Sequence, residues 1–166
     1  METLKQIEEK VKLFIDAANQ KIDPEIFKLI IGLQAHNIPT QFSCAGHADR
    51  EGSYPYVDIY ADDSKIDFED FSEPMIEKKA AWIQENVFIL KQLEQLLSQF
   101  YSNHKAEYKY MITPHCSIDL VQIRLKSIGA DLVKRMSKTE FKKELEELQK
   151  EMVAFSTFLI EEYRRL

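Results

Sequence analysis

The chain holds few of the residues that punctuate a fold or equip a site: 4 glycines, 2 cysteines, 5 prolines, 4 histidines and 1 tryptophan in 166 residues. Two cysteines exclude a disulfide-built scaffold, and in a reducing compartment they read as thiols or metal ligands. So little glycine and proline excludes collagen-like and low-complexity chains. No run approaches the roughly 18 apolar residues of a membrane span. The first residues, Met1 to Gln6, carry no apolar signal-peptide core. A cytoplasmic protein with no membrane partner is expected.

An excess of positive charge is missing as well. The net charge is −6 and the pI about 5.3. Nucleic acid and anionic membranes select basic footprints, so neither is an expected partner. The charge is uneven: from Lys105 to Lys143, nine Lys and Arg residues stand against four Asp and Glu. That stretch reads as a solvated face of strands and helices, with an anion site as the alternative. The chain also lacks a Gly-rich phosphate loop, a nucleophile elbow, a His-Glu-x-x-His helix and a dinucleotide fingerprint.

What is present suffices for one packed domain spanning 1–166, with 45% hydrophobic residues. Leu4, Ile7, Val11, Phe14 and Ala18 recur at helical spacing and predict a helix over 3–20. Asp23-Pro24-Glu25 reads as an N-cap followed by proline at the first helical position. That second helix should end near His36-Asn37, before Pro39. Short strands are expected over Ile38–Ser43 and Tyr54–Ala61, with Glu51-Gly52-Ser53 as the turn between them. Ser72 and Pro74 open a long helix to about Tyr101, striped by Ile76, Ala80, Ile83, Val87, Leu90 and Leu97. Ile89, Leu93, Leu96 and Phe100 widen that stripe.

Strands are then expected over Tyr108–Thr113 and Leu120–Ile128, with Pro114-His115-Cys116 leaving the first of them. A last helix covers 138–164, capped by Ser137 or Thr139. Its stripe of Phe141, Leu145, Leu148, Met152, Phe155 and Leu159 is a core face, or a seam through which the protein forms a homodimer. The order ααββαββα implies an α+β two-layer domain: a mainly antiparallel sheet of about four strands covered by helices.

Chemistry-bearing residues concentrate in Thr40-Gln41-Phe42-Ser43-Cys44-Ala45-Gly46-His47. Cys44-x-x-His47 is a two-ligand spacing suited to Zn²⁺ or another divalent metal. His115 and Cys116 offer a second pair, and Asp58 or His36 a further ligand. The same turn also supports thiol chemistry. Cys44 would be the nucleophile, His47 its base and Asp49 or Asp58 the orienting carboxylate, with Ser43 and backbone N–H groups near Gly46 around an oxyanion. A third reading makes Cys44 a structural residue of the turn. Thr40, Ser43 and Gly46 are candidate ligand contacts, or serve only to shape the turn. Tyr56, Asp58 and Tyr60 on one strand, beside Gln122, Arg124 and Lys126 on another, read as a solvent-exposed sheet face, or as a polar face for a polar or anionic small molecule. His104 is expected in an exposed loop and Trp82 in the core.

The run Asn37 to His47, followed by Tyr54-Pro55-Tyr56-Val57-Asp58-Ile59, resembles a group of small uncharacterised bacterial and phage-associated proteins. They share a Thr-x-x-Ser-Cys-x-Gly-His turn between a helix and a strand. The resemblance spans about residues 23–60. It implies a site around Thr40, Ser43, Cys44, Gly46 and His47. The turn is also similar to the Ser-Ser-Cys-Ser-Gly-Arg turn of the wybutosine-synthesising methyltransferases of tRNA. Here Ser43, Cys44 and Gly46 match, but Phe42 replaces the first serine and His47 the arginine.

The expected function is therefore a metal- or small-ligand-binding site at the Cys44–His47 turn, extending to hydrolase-like chemistry. One alternative is a non-catalytic interaction protein that dimerises or docks a partner through the C-terminal helix. The other is an enzyme related to RNA modification.

Overall fold

The computed structural model describes residues 2–15, 21–50, 52–117 and 122–166. Its elements are α1 (Leu4–Val11), α2 (Pro24–Ala35), β1 (Phe42–Cys44), β2 (Tyr56–Ile59), α3 (Glu73–Asn103), β3 (Ile112–Cys116), β4 (Ile123–Ser127), a 3₁₀ helix (Ala130–Arg135) and α4 (Lys138–Arg165). This is the expected α+β order. The four strands form one antiparallel sheet in the order β1-β2-β4-β3. Two hairpins are joined through their second strands, so β1 and β3 are the edges.

Strand alternation gives the sheet two unlike faces. Val57, Ile59, Ile123 and Leu125 are fully buried in the main core with residues of α2, α3 and α4. Cys44, Tyr56, Asp58, Arg124, Lys126 and His115 share the other face by register. A smaller core of Val133, Phe141, Leu145 and Leu148, with Tyr54 and Tyr110, packs under the 3₁₀ helix. The stripe of α4 is buried along its whole length within the chain, so it serves as a core face. Its start has a full capping box, Ser137 with Glu140.

Several boundaries move. Helix α1 stops at Val11, and Lys12 and Leu13 turn out of it. Ala18, Glu51, Leu120 and Val121 lie outside the described residues. The buried stripe of α3 is Trp82, Asn86, Ile89, Leu93, Leu96, Leu97 and Phe100, whereas Ile76 and Ala80 are exposed. Residues 108–110 form a turn, and Thr113-Pro114-His115-Cys116 is strand rather than exit loop. Pro114 is tolerated because β3 is an edge and pairs on one side only.

Two polar anchors tie the long helices together. The buried Glu151 carboxylate of α4 accepts from Tyr101 Oη at 2.8 Å and meets His104 Nε2 at 3.0 Å. His104 is stacked on Phe100, 4.4 Å between ring centroids, so it is a packed residue and not the free loop histidine the sequence suggests. Trp82 is in the core as expected, and its Nε1–H donates to the Ala61 carbonyl at 3.0 Å. Among the described residues, no helix is long and apolar enough to cross a membrane.

Candidate metal centre

The return of the chain after α2 builds the site. Twelve helical residues rise about 18 Å, and the seven extended residues Ile38–Cys44 travel back roughly 20 Å. The end of β1 therefore arrives beside the start of α2. Asn37 makes the reversal with φ 57°, as its αL tolerance allows. This arrangement brings Asp23 to Cys44 and His47.

Asp23 stands at the N-cap of α2, but its side chain caps nothing. Its Oδ2 instead accepts from Ala45 N–H at 2.9 Å and lies 3.2 Å from His47 Nε2. Asp23, Cys44 and His47 each offer one donor atom, and these three atoms lie within 4.8 Å of one another. About three-tenths of the His47 and Asp23 side chains remain exposed, so the donors open to solvent (30% and 28%). Around the sulfur, Gly46 N–H donates to Cys44 Sγ at 3.3 Å, and Ser53 Oγ lies 3.8 Å from it. The Ser53 hydroxyl also accepts from His47 N–H at 3.1 Å.

The turn that carries these donors is held from behind. Gln149 of α4 donates to the carbonyls of Ala45 and Gly46 at 3.0 and 3.1 Å. Gly46 has φ +75°, and a Cβ there would stand 2.6 Å from Leu145 Cδ1 and 3.0 Å from the Tyr54 backbone. Glycine is required twice over, for the left-handed backbone and for the close approach.

The other expected site residues are placed elsewhere. His115 and Cys116 lie on β3, the far edge from β1. Three strand spacings put about 14 Å between them and Cys44, so the two Cys/His pairs do not join in one site. Cys116 is exposed. His36 sits at the opposite end of α2 from Asp23, with its Nε2 2.9 Å from the Leu159 carbonyl. Asp58 does not orient His47. It is buried, and both its oxygens are taken by Arg124, Nε and Nη2 each at 2.7 Å. The carboxylate beside His47 is Asp23, 3.2 Å from its Nε2, and not Asp58.

The polar face is paired in part: Arg124 and Lys126 meet carboxylates, whereas His115 Nε2 has no hydrogen-bond partner. Arg124 stacks on Tyr56 at 4.0 Å and is locked to Asp58, which raises its pKa further. Lys126 is paired with Asp131, whose carboxyl this ion pair draws down to about 2. Burial pushes the Tyr56 phenol up. Arg124 and Lys126 are thus ion-paired with Asp58 and Asp131, and Tyr56 packs under the Arg124 guanidinium. Ser43 points to the opposite face of β1 from Cys44. Thr40 accepts from Gln34 Nε2 at 3.2 Å and, with Ser43, lines a separate hollow of about 480 Å³ whose far wall is Leu13, Phe14 and Ile15.

Sequence reasoning missed Asp23 as a donor, Ser53 as the hydroxyl at the sulfur, and Gln149 as the brace. The up-and-back lengths of α2 and residues 38–44 were the available signal for Asp23. No protein family, curated protein or solved structure matches this chain.

Proposed function

We propose that this protein binds a divalent metal ion through Asp23, Cys44 and His47, and that zinc is the ion the donor set suits best. The observation that carries the reading is the convergence of one sulfur, one nitrogen and one oxygen donor within 4.8 Å. Zinc bonds of about 2.0–2.3 Å place tetrahedral ligands about 3.5 Å apart, so these donors close on an ion with small side-chain shifts. Mixed thiolate, imidazole and carboxylate ligation favours a borderline metal over Mg²⁺ or Ca²⁺.

Three protein donors leave a fourth tetrahedral position for water or substrate, the pattern of a hydrolytic rather than a structural zinc. A zinc ion held this way supplies a Lewis acid and an acidified water. The chain's own contribution is placement. Asp23 is fixed by Ala45 N–H, Cys44 by Gly46 N–H, and the turn by Gln149.

The convergence also weighs against a thiol relay. In a nucleophile–base–carboxylate relay, thiol and carboxylate meet opposite nitrogens of the imidazole. Here a single ring nitrogen of His47 lies within 4.8 Å of both Cys44 Sγ and an Asp23 oxygen. A shared cation suits that arrangement.

Cobalt(II) titration of the untagged protein tests this, read by the thiolate-to-cobalt charge-transfer band. Binding of one ion per chain, lost in Cys44→Ala and His47→Ala, supports the site. A parallel assay with nitrophenyl acetate and nitrophenyl phosphate tests hydrolysis. Activity that chelator removes and zinc restores is expected. Metal uptake without any such activity would leave a binding site and overturn the hydrolytic part.

A further inference from the structure

The Cys44 sulfur has two neighbours beyond the metal donors: Gly46 N–H at 3.3 Å and Ser53 Oγ at 3.8 Å. A hydroxyl carries one proton and can accept as well as donate. Ser53 Oγ accepts from His47 N–H at 3.1 Å, so its acceptor role there is filled and its own proton is available to the sulfur. The loop backbone fixes that hydroxyl. Arg50 N–H donates to the His47 carbonyl, and Ser53 N–H donates to the Arg50 carbonyl, both at 3.1 Å.

We infer that Ser53 is a positioning residue of the metal site, an inference that rests on the metal-binding reading: its O–H and the Gly46 N–H both aim hydrogen bonds at the Cys44 sulfur and fix its direction. Donors on a ligand sulfur fix its direction and lower the electron density it gives the metal, as outer-shell partners do generally. The same hydroxyl bridges two ligands, since it meets the Cys44 sulfur and the His47 backbone. A movement of one is therefore felt by the other. Ser53 adds no bond to the metal, so its effect must appear in affinity and in the thiolate's spectrum.

The test uses the full chain in a Cys116→Ser background, which leaves Cys44 as its single thiol. Ser53→Ala and Ser53→Thr are compared with that parent, using cobalt(II) and zinc as the probes. Ser53→Ala is expected to weaken both metals roughly 10- to 100-fold and to shift the thiolate-to-cobalt band. Ser53→Thr keeps the hydroxyl and is expected to restore affinity and band position, which a merely structural role would not require. A Ser53→Ala protein with the parent's affinity and spectrum overturns the inference and leaves the metal site standing. A parent that takes up neither metal overturns the metal reading itself, and this inference with it.

Discussion

Asp23 spans two roles that usually coincide in one place. An N-cap carboxylate normally accepts from the helix it starts and stabilises it by about 1 kcal/mol. Asp23 gives its Oδ2 to Ala45 and His47 instead, while its own carbonyl accepts from Ile26 N–H at 3.1 Å and Pro24 begins the helix. Asp23→Ser should therefore lower stability by only about 1 kcal/mol, the value of the Ala45 hydrogen bond, yet abolish metal uptake. Urea unfolding and cobalt titration on the same sample check both halves. Gly46→Ala combines a strained φ with a 2.6 Å clash and should cost about 2–3 kcal/mol in urea unfolding. His115 makes a pH prediction. Burial, then the Lys126 charge, hold its pKa below the ordinary 6.5, and its Nε2 has no hydrogen-bond partner. The unfolded chain takes up that proton at higher pH than the folded chain does. The contribution is thus complete above pH 6.5 and is lost as the pH falls below it. His115→Asn should flatten the dependence of the urea midpoint across that window. Cys44, Gly46 and His47 were legible because scarce residue types cluster in eight positions. Asp23 was not, because its partners come from a different element and its local signal had an ordinary explanation.

At the scale of elements, the helix starts separate real caps from nominal ones. Ser137 accepts from Glu140 N–H in a complete box, whereas Ser72 makes no cap bond and donates its hydroxyl to Asp70. Ser137→Ala should lower stability by about 1 kcal/mol, and Ser72→Ala should stay within about 0.5 kcal/mol, both read from urea midpoints. The order of elements was legible from periodicity: period two for β2 and β4, and helical spacing for α2 and α4. The edges were less so. Pro114 looked like a strand exit because proline lacks the N–H a central strand needs, and nothing local says that β3 is an edge. In α3 both candidate stripes are apolar. Only the position of the sheet decides that Trp82, Ile89 and Leu93 face inward while Ile76 does not.

At the scale of the whole molecule, α4 joins the core to the site. Its central residues Met152 and Phe155 are buried against the main core, Leu145 and Leu148 fill the smaller one, and Gln149 between them grips the Cys44–His47 turn. Near its end, Leu159 packs so closely on α2 that a Cβ on Gly32 would lie 2.9 Å from it. Phe155→Ala, at a position with no exposure, should cost about 3–5 kcal/mol in urea unfolding, as a large core truncation does. Gln149→Ala should leave the fold intact and loosen the turn, lowering cobalt affinity without changing the ligand set. The most direct measurement is elemental analysis of untagged protein purified without chelator, beside Asp23→Ala, Cys44→Ala and His47→Ala prepared identically. About one zinc per chain in the parent and a loss in all three variants is the outcome this structure leads us to expect. Metal-free parent protein, or zinc retained when any one of the three donors is removed, would contradict it.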